Sequence, residues 1–267
     1  MSQLFTTVLY DPIFNALFYL YHVIPGHDLG IAIILITIAI KLILFWPSLS
    51  SLKAQKSLQD TQPKIEEIKK KYKDNKEELG RQLMKFYKEN KVNPLSSCLP
   101  LLIQLPILIA LYQVFFRGLQ VDAATHILNA DQLSHLYGYL RAIYETTPIS
   151  TIFLGFVDLA KTHNIYLAVL AGLAQFFSGK MLATKKAPIK TAGAKDENIT
   201  ATMNKQMLYL MPIFTVVLGY QFPAGVTLYW LVTTAFTLLQ QLYFLKVKKE
   251  QVTASNIIDV KGNALKS

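Results

Sequence analysis

Five apolar runs divide the chain, at 29–51, 95–117, 165–181, 207–222 and 224–246, with polar stretches between them. Each run predicts a transmembrane helix, because in hydrocarbon every backbone polar group must be bonded within its own segment. The third and fourth runs are short, about 25 Å of helix at 1.5 Å per residue against a hydrocarbon core of about 30 Å. They predict a locally thinned bilayer. Residues 52–94 carry twelve Lys/Arg and seven Asp/Glu, which no bilayer interior accommodates. A helical run, a polar break at 73–76 and a second run with Leu79, Leu83, Phe86 and Tyr87 at helical spacing predict a helical hairpin outside the membrane. Only that stripe is available to join its arms, so the hairpin is expected to be the least anchored element. Ahead of the first run, the apolar residues 13–24 are too few to span. With Asn15, His22, Phe14, Phe18, Tyr19 and Tyr21 among them, they predict an interfacial amphipathic helix within 1–28.

Charge then sets direction. The hairpin supplies twelve basic residues, the loop at 182–206 with Lys180 supplies six, and the tail at 247–267 with Lys246 supplies five. Residues 1–28 supply none, and the loop at 118–164 together with Arg117 supplies three. Basic residues collect on the cytoplasmic side, so the hairpin, the 182–206 loop and the C-terminus are expected there. The N-terminus and the 118–164 loop, with its short helices, are expected outside. No basic n-region or small-residue cleavage site marks a cleaved signal peptide in the first residues. The composition agrees with a membrane protein: 52% of the 267 residues are hydrophobic and mean hydropathy is +0.31. The excess of Lys and Arg, 27 against 17 acidic residues, therefore reads first as topology. As a nucleic-acid surface it survives only in the restricted form of ribosome contact, with no specific sequence read.

Lys41 interrupts the first run about 18 Å into a helix that starts at residue 29. A charge near mid-membrane costs at least about 2.5 to 3.5 kcal/mol on insertion scales, so it calls for a polar cavity. The alternative is that it snorkels to the interface along its own stem. In the fifth run Thr227, Trp230, Thr234, Thr237 and Gln241 fall within one sector of a helix. Thr37, Lys41 and Ser48 share a face of the first, Gln104 lies in the second, and Gln175 and Ser178 lie in the third. With Lys41 needing a polar home they describe one wet groove; taken singly, each Thr, Ser or Gln reads first as a group bonding a neighbouring backbone or helix. Met203, Met207 and Met211 recur at helical spacing, either as core or as a flexible strip for apolar partners. Enzymatic motifs are missing: no Gly-rich phosphate loop, HExxH or GxSxG occurs. His22, His27, His126, His135 and His163 are scattered outside the runs without metal-ligand spacing, and the single cysteine, Cys98, reads as a small hydrophobe. Neither metal nor cofactor is expected.

The segments YDPIFNALFYLY, GIAIILITIAIKLILFWP, KVNPLSSCLPLLIQLPILIALYQVF, YLAVLAGLAQFFSGKM and QMLYLMPIFTVVLGYQFPAGVTLYWLVTTAF resemble, in this order, the YidC/Oxa family of membrane protein insertases. The resemblance covers nearly the whole chain and implies the short form, without a large outer domain. It implies an all-α integral membrane protein in the cell membrane, with five transmembrane helices around a hydrophilic groove, a cytoplasmic helical hairpin and an N-terminal interfacial helix. Lys41 matches the position of the family's intramembrane basic residue, most often Arg. The charge is kept and the planar fork is lost. Gln104, Gln175 and Trp230 match groove-lining positions, with Tyr229 beside them. The hairpin, with Lys53, Lys64, Lys69, Lys70, Lys71, Arg81 and Lys85, matches the family's substrate-receiving element. Nascent membrane proteins and the lipid bilayer are the implied partners, and the ribosome, the signal recognition particle system and a Sec translocon are further candidates. Two rival classes remain: a transporter or channel with Lys41 as its ion site, and an assembly scaffold that does not require Lys41.

Overall fold

Asp28 starts the first long helix, and its carboxylate shows how the fold is assembled at that end. One oxygen accepts from the backbone N–H groups of Gly30 and Ile31 at 2.8 and 3.1 Å, capping the helix. The other accepts from Leu154 N at 2.9 Å, fastening a distant loop to the same point. The computed structural model describes residues 3–93, 99–119, 121–122, 125–182 and 197–264, with side chains left undescribed at 99–101, 182, 197–207 and 246–264.

The chain opens with α1 (Gln3–Phe5), a π turn and α2 (Asp11–Val23), then α3 (Leu29–Ile43), α4 (Phe45–Lys71) and α5 (Lys76–Glu89). Next come α6 (Leu99–Gln113) with a π turn at its end, the short helices α7 (Ala130–His135) and α8 (Gly138–Tyr144), and a two-stranded hairpin, β1 (Ile152–Phe153) and β2 (Val157–Asp158). Three helices finish the chain: α9 (Ile165–Leu182), α10 (Glu197–Gln221) and α11 (Ala224–Ala264). Helix α9 packs on both α10 and α11, and α11 packs on α3. Close approach of α9 to α10 depends on Gly172, where a Cβ would lie 2.4 Å from Val216.

The elements depart from the apolar runs in informative ways. The run at 29–51 is not one helix: it breaks at Leu44 and bends by 68° into α4. Pro47 explains the position, since its ring collides with the carbonyl four residues back, at Ile43, and it has no N–H to donate there. Among the described residues one helix, Ala224–Leu245, is long and apolar enough to cross a membrane, or two if the bent pair α3–α4 counts as a span. Leu102–Gly118, Ile165–Met181 and Leu208–Gln221 are shorter apolar helices. The stretches at 182–206 and 247–267 are partly helical, as extensions of α10 and α11.

The core lies at one end of the bundle. Phe14, Leu17 and Phe18 are fully buried with Leu29, Ile33, Val114, Leu159 and Val226, and Tyr144 closes over them. Three of the rings that composition assigns to a lipid interface, Phe14, Phe18 and Tyr21, therefore face protein, while Tyr19 is exposed: Phe14 meets Phe18 edge-on at 4.7 Å and Phe18 meets Tyr144 at 5.1 Å. Polar contacts fix this cap. Asn15 Nδ2 donates to the carbonyl of His135 and Tyr137 N donates to Asn15 Oδ1, while Asp11 and His135 pair at 2.7 Å. Burial, then the charges of Asp131 and Asp11, push the Tyr10 phenol up to about 12, so it stays neutral near pH 7.

The hairpin gains more anchorage than its second arm offers. Helix α5 buries no residue, but Ser51, Leu52 and Ile65 of α4 are buried and α4 packs on α5, α6 and α9. Asn75 caps α5 by accepting from Glu78 N at 3.0 Å.

Candidate functional site

Helices α3 and α11 start at the cap end and run in the same direction, so residues equally far from their starts lie side by side. Lys41 is twelve positions into α3 and Thr237 thirteen into α11. The Lys41 ammonium donates to Thr237 Oγ1 at 3.3 Å, and Thr237 in turn donates to its own helix at Thr233 O, 2.9 Å. Lys41 is half-buried, and among the described residues no carboxylate pairs with it. The neighbouring Leu42 and Ile43 are exposed, so the ammonium points inward from an otherwise apolar surface. The break at Leu44 places Lys41 in the last turn of α3, nearer the helix end than an unbroken run would put it.

One turn further along, Ser48 Oγ donates to Gln240 Oε1 at 2.9 Å, joining α4 to α11. The next residue, Gln241, is 2% exposed and donates from Nε2 to Ser178 Oγ on α9 at 3.0 Å. Adjacent residues of α11, 100° apart on the helix, thus hold two different neighbours. Closer to the cap, Gln104 of α6 and the Tyr229 hydroxyl of α11 are hydrogen-bonded.

The other predicted residues take different places. Thr37 is fully buried and donates to Ile33 O at 2.6 Å, within its own helix. Thr227 lies under the cap, where its hydroxyl donates to Gly219 O at 2.8 Å and ties α11 to α10. Thr234 is buried; Gln175 and Trp230 are half-buried. On the hairpin, Lys53, Lys64, Lys70, Lys71, Arg81 and Lys85 are exposed, and Lys69 is half-buried. Arg81 reaches Glu77 and Glu78 at 3.4 Å and Lys85 reaches Glu89 at 3.9 Å, exposed pairs that each contribute a few tenths of a kcal/mol. Gln240 does not stand out in the sequence. Its signal is only that it precedes the stripe residue Gln241, and its role emerges once α4 bends toward it. Cys98, Met203 and Met207 fall outside the described side chains, and Met211 is exposed. Among the described residues no three His, Cys, Asp or Glu side chains gather into a metal-holding group.

The arrangement is polarised along the bundle: aromatic and aliphatic packing at the cap, a cation and amide–hydroxyl pairs toward the hairpin. It offers a positive charge and neutral hydrogen-bonding groups to a guest.

Known proteins share this chain's sequence over most of its length. A protein of Fusobacterium nucleatum named "Membrane protein insertase YidC" is 34% identical over 82% of this chain and 87% of its own length. Proteins of the same name from Treponema denticola and Geotalea daltonii are 34% and 33% identical over 86% and 82% of this chain, of which they match 36% and 34% of their own lengths. The chain thus spans about a third of some relatives and most of another. Residues 19–251 match the family described as "60Kd inner membrane protein". With the match running from α2 through the cap, the Lys41 pairing and all of the apolar helices, the chain belongs to that inner-membrane family, the YidC/Oxa family its sequence resembles.

Proposed function

We propose that the protein inserts newly made membrane proteins into the cell membrane through a polar groove bounded by α3, α6, α9, α10 and α11. The relatives' shared name supports the activity. The observation that carries the groove is the Lys41–Thr237 contact at 3.3 Å, on the hairpin side of a core that is apolar and aromatic at the cap. A polar segment of a substrate enters from the hairpin side, where Lys41 attracts its acidic residues and neighbouring hydroxyls and amides replace part of its hydration. The buried Gln240 Nε2, without a partner among the described residues, supports a hydrated path, since such a group costs about 1 to 3 kcal/mol unless satisfied. The cap closes the other end, so the segment advances only as its apolar helix partitions into lipid beside α3, α9 and α11. Transfer energy comes from that burial and from the membrane potential, with no nucleotide.

In this reading the five helices cross the membrane, with the N-terminus outside and the hairpin α4–α5 and the C-terminus in the cytoplasm, as the basic residues indicate. The hairpin receives substrate from the ribosome or the signal recognition particle system, and a Sec translocon is a further partner. The test is reconstitution of the purified protein alone into liposomes with a small single-span protein. Insertion without leakage of trapped small solutes supports the proposal. Leakage would indicate a channel, and absence of insertion a scaffold.

A further inference from the structure

Where α4 passes the middle of α11, the two helices line an open cavity of about 350 Å³. Lys53, Ser57, Thr61 and Lys64 recur at three- and four-residue steps and so line one side of α4 over roughly 16 Å. Lys56 and Asp60 stand between them and neutralise each other at 3.1 Å. Lys53 and Lys64 have no acidic partner among the described residues, which leaves two uncompensated ammonium groups facing the cavity. Thr61 has committed its hydroxyl hydrogen to the carbonyls of Ser57 and Leu58 at 3.0 Å, so Ser57 and the lysines are the donors that remain. The opposite wall is Phe244, at the end of the apolar stretch Ala224–Leu245. The next residue back along α11, Tyr243, is exposed.

A cavity with cations on one wall and an aromatic ring on the other, where the apolar stretch of α11 gives way to its lysine-rich continuation, suits an amphiphile whose charged end is an anion. A free anion satisfies the lysines and leaves the apolar wall unused. We propose that this cavity binds the phosphodiester headgroup of an anionic phospholipid, with Lys53 and Lys64 on the phosphate, Ser57 donating to it, and an acyl chain lying against Phe244. Two basic groups near a membrane surface contribute about 1 kcal/mol each, a preference of roughly thirtyfold over a zwitterionic lipid. The bend at Leu44 makes the site, since a straight helix would carry Lys53 away from α11. This inference goes beyond the insertase reading and stands without it.

Native mass spectrometry of the delipidated full-length protein in detergent tests the site, with phosphatidylglycerol, phosphatidylcholine and inorganic phosphate as probes. The parent is expected to retain phosphatidylglycerol roughly thirtyfold better than phosphatidylcholine. Lys53→Gln with Lys64→Gln should abolish the preference, Lys53→Arg with Lys64→Arg should keep it, and Lys88→Gln on α5 should not change it. Thermal unfolding of each variant, unchanged from the parent, ties the loss to the site. Equal retention by the Gln pair and the parent overturns the proposal. So does displacement of phosphatidylglycerol by millimolar phosphate, which assigns the cavity to a free anion, or by an acidic peptide at lower concentration than the lipid, which assigns it to protein.

Discussion

Lys41 carries the sharpest residue-scale prediction. At about 12 Å and an effective dielectric of about 20, a unit charge contributes about 1.4 kcal/mol to a passing carboxylate, or roughly tenfold in rate. Lys41→Arg should retain insertion. Lys41→Ala should fold and lose roughly tenfold for substrates with Asp or Glu in the translocated segment, with Lys41→Glu lower still. Insertion in cells depleted of their own insertase, with each variant's expression checked, provides the readout. Wild-type insertion of an acidic substrate by Lys41→Ala would leave the groove charge without a role. A second prediction concerns the Ser178–Gln241 pair. Gln241→Leu leaves the buried Ser178 hydroxyl unmatched and should lower stability by about 1 kcal/mol. Adding Ser178→Ala should recover much of that loss, because two apolar groups then meet. Thermal unfolding in detergent of the single and double variants measures the coupling. The spacing of Thr234, Thr237 and Gln241 already places them on one face of a helix. That Gln241 meets Ser178 and Gln240 meets Ser48 depends on how three helices pack, which spacing along one helix does not contain.

At the scale of elements, the helices that match their apolar runs are those without interruption: α9 (Ile165–Leu182) follows the run at 165–181 almost residue for residue. The first run differs because hydropathy continues smoothly through Phe45 and Trp46 and passes over the break. The physical signal was Pro47, one turn beyond the point where the helix fails. Likewise Phe14, Phe18 and Tyr21 of α2 are equally apolar whether they meet lipid or protein, and it is the cap packed over them, with Tyr144 of α8, that buries them. Pro47→Ala should straighten the α3–α4 junction by restoring an N–H donor to Ile43. Electron spin resonance distances between labels at Leu35 and Glu67 should then lengthen relative to the parent. An unchanged distance would assign the bend to the packing of Ser51, Leu52 and Ile65.

For the molecule as a whole, the orientation is open to a direct check. In a Cys98→Ser background, a cysteine at Phe156 on the exposed β turn should react with an impermeant reagent added outside intact cells. One at Lys88 should react only after the membrane is opened. The opposite pattern would invert the groove and its entrance. The contacts that tie α11 to the rest also say something about how the protein is made. Gln240 meets a hydroxyl 192 residues earlier in the chain, and Gln241 one 63 residues earlier. Until the ribosome has produced the last helix, α4 and α9 have none of these bonds, and Lys41 has no Thr237 to donate to. In the proposed arrangement a nascent copy therefore carries an unescorted intramembrane cation through most of its own synthesis, and its groove is complete only when the C-terminal helix arrives to receive it.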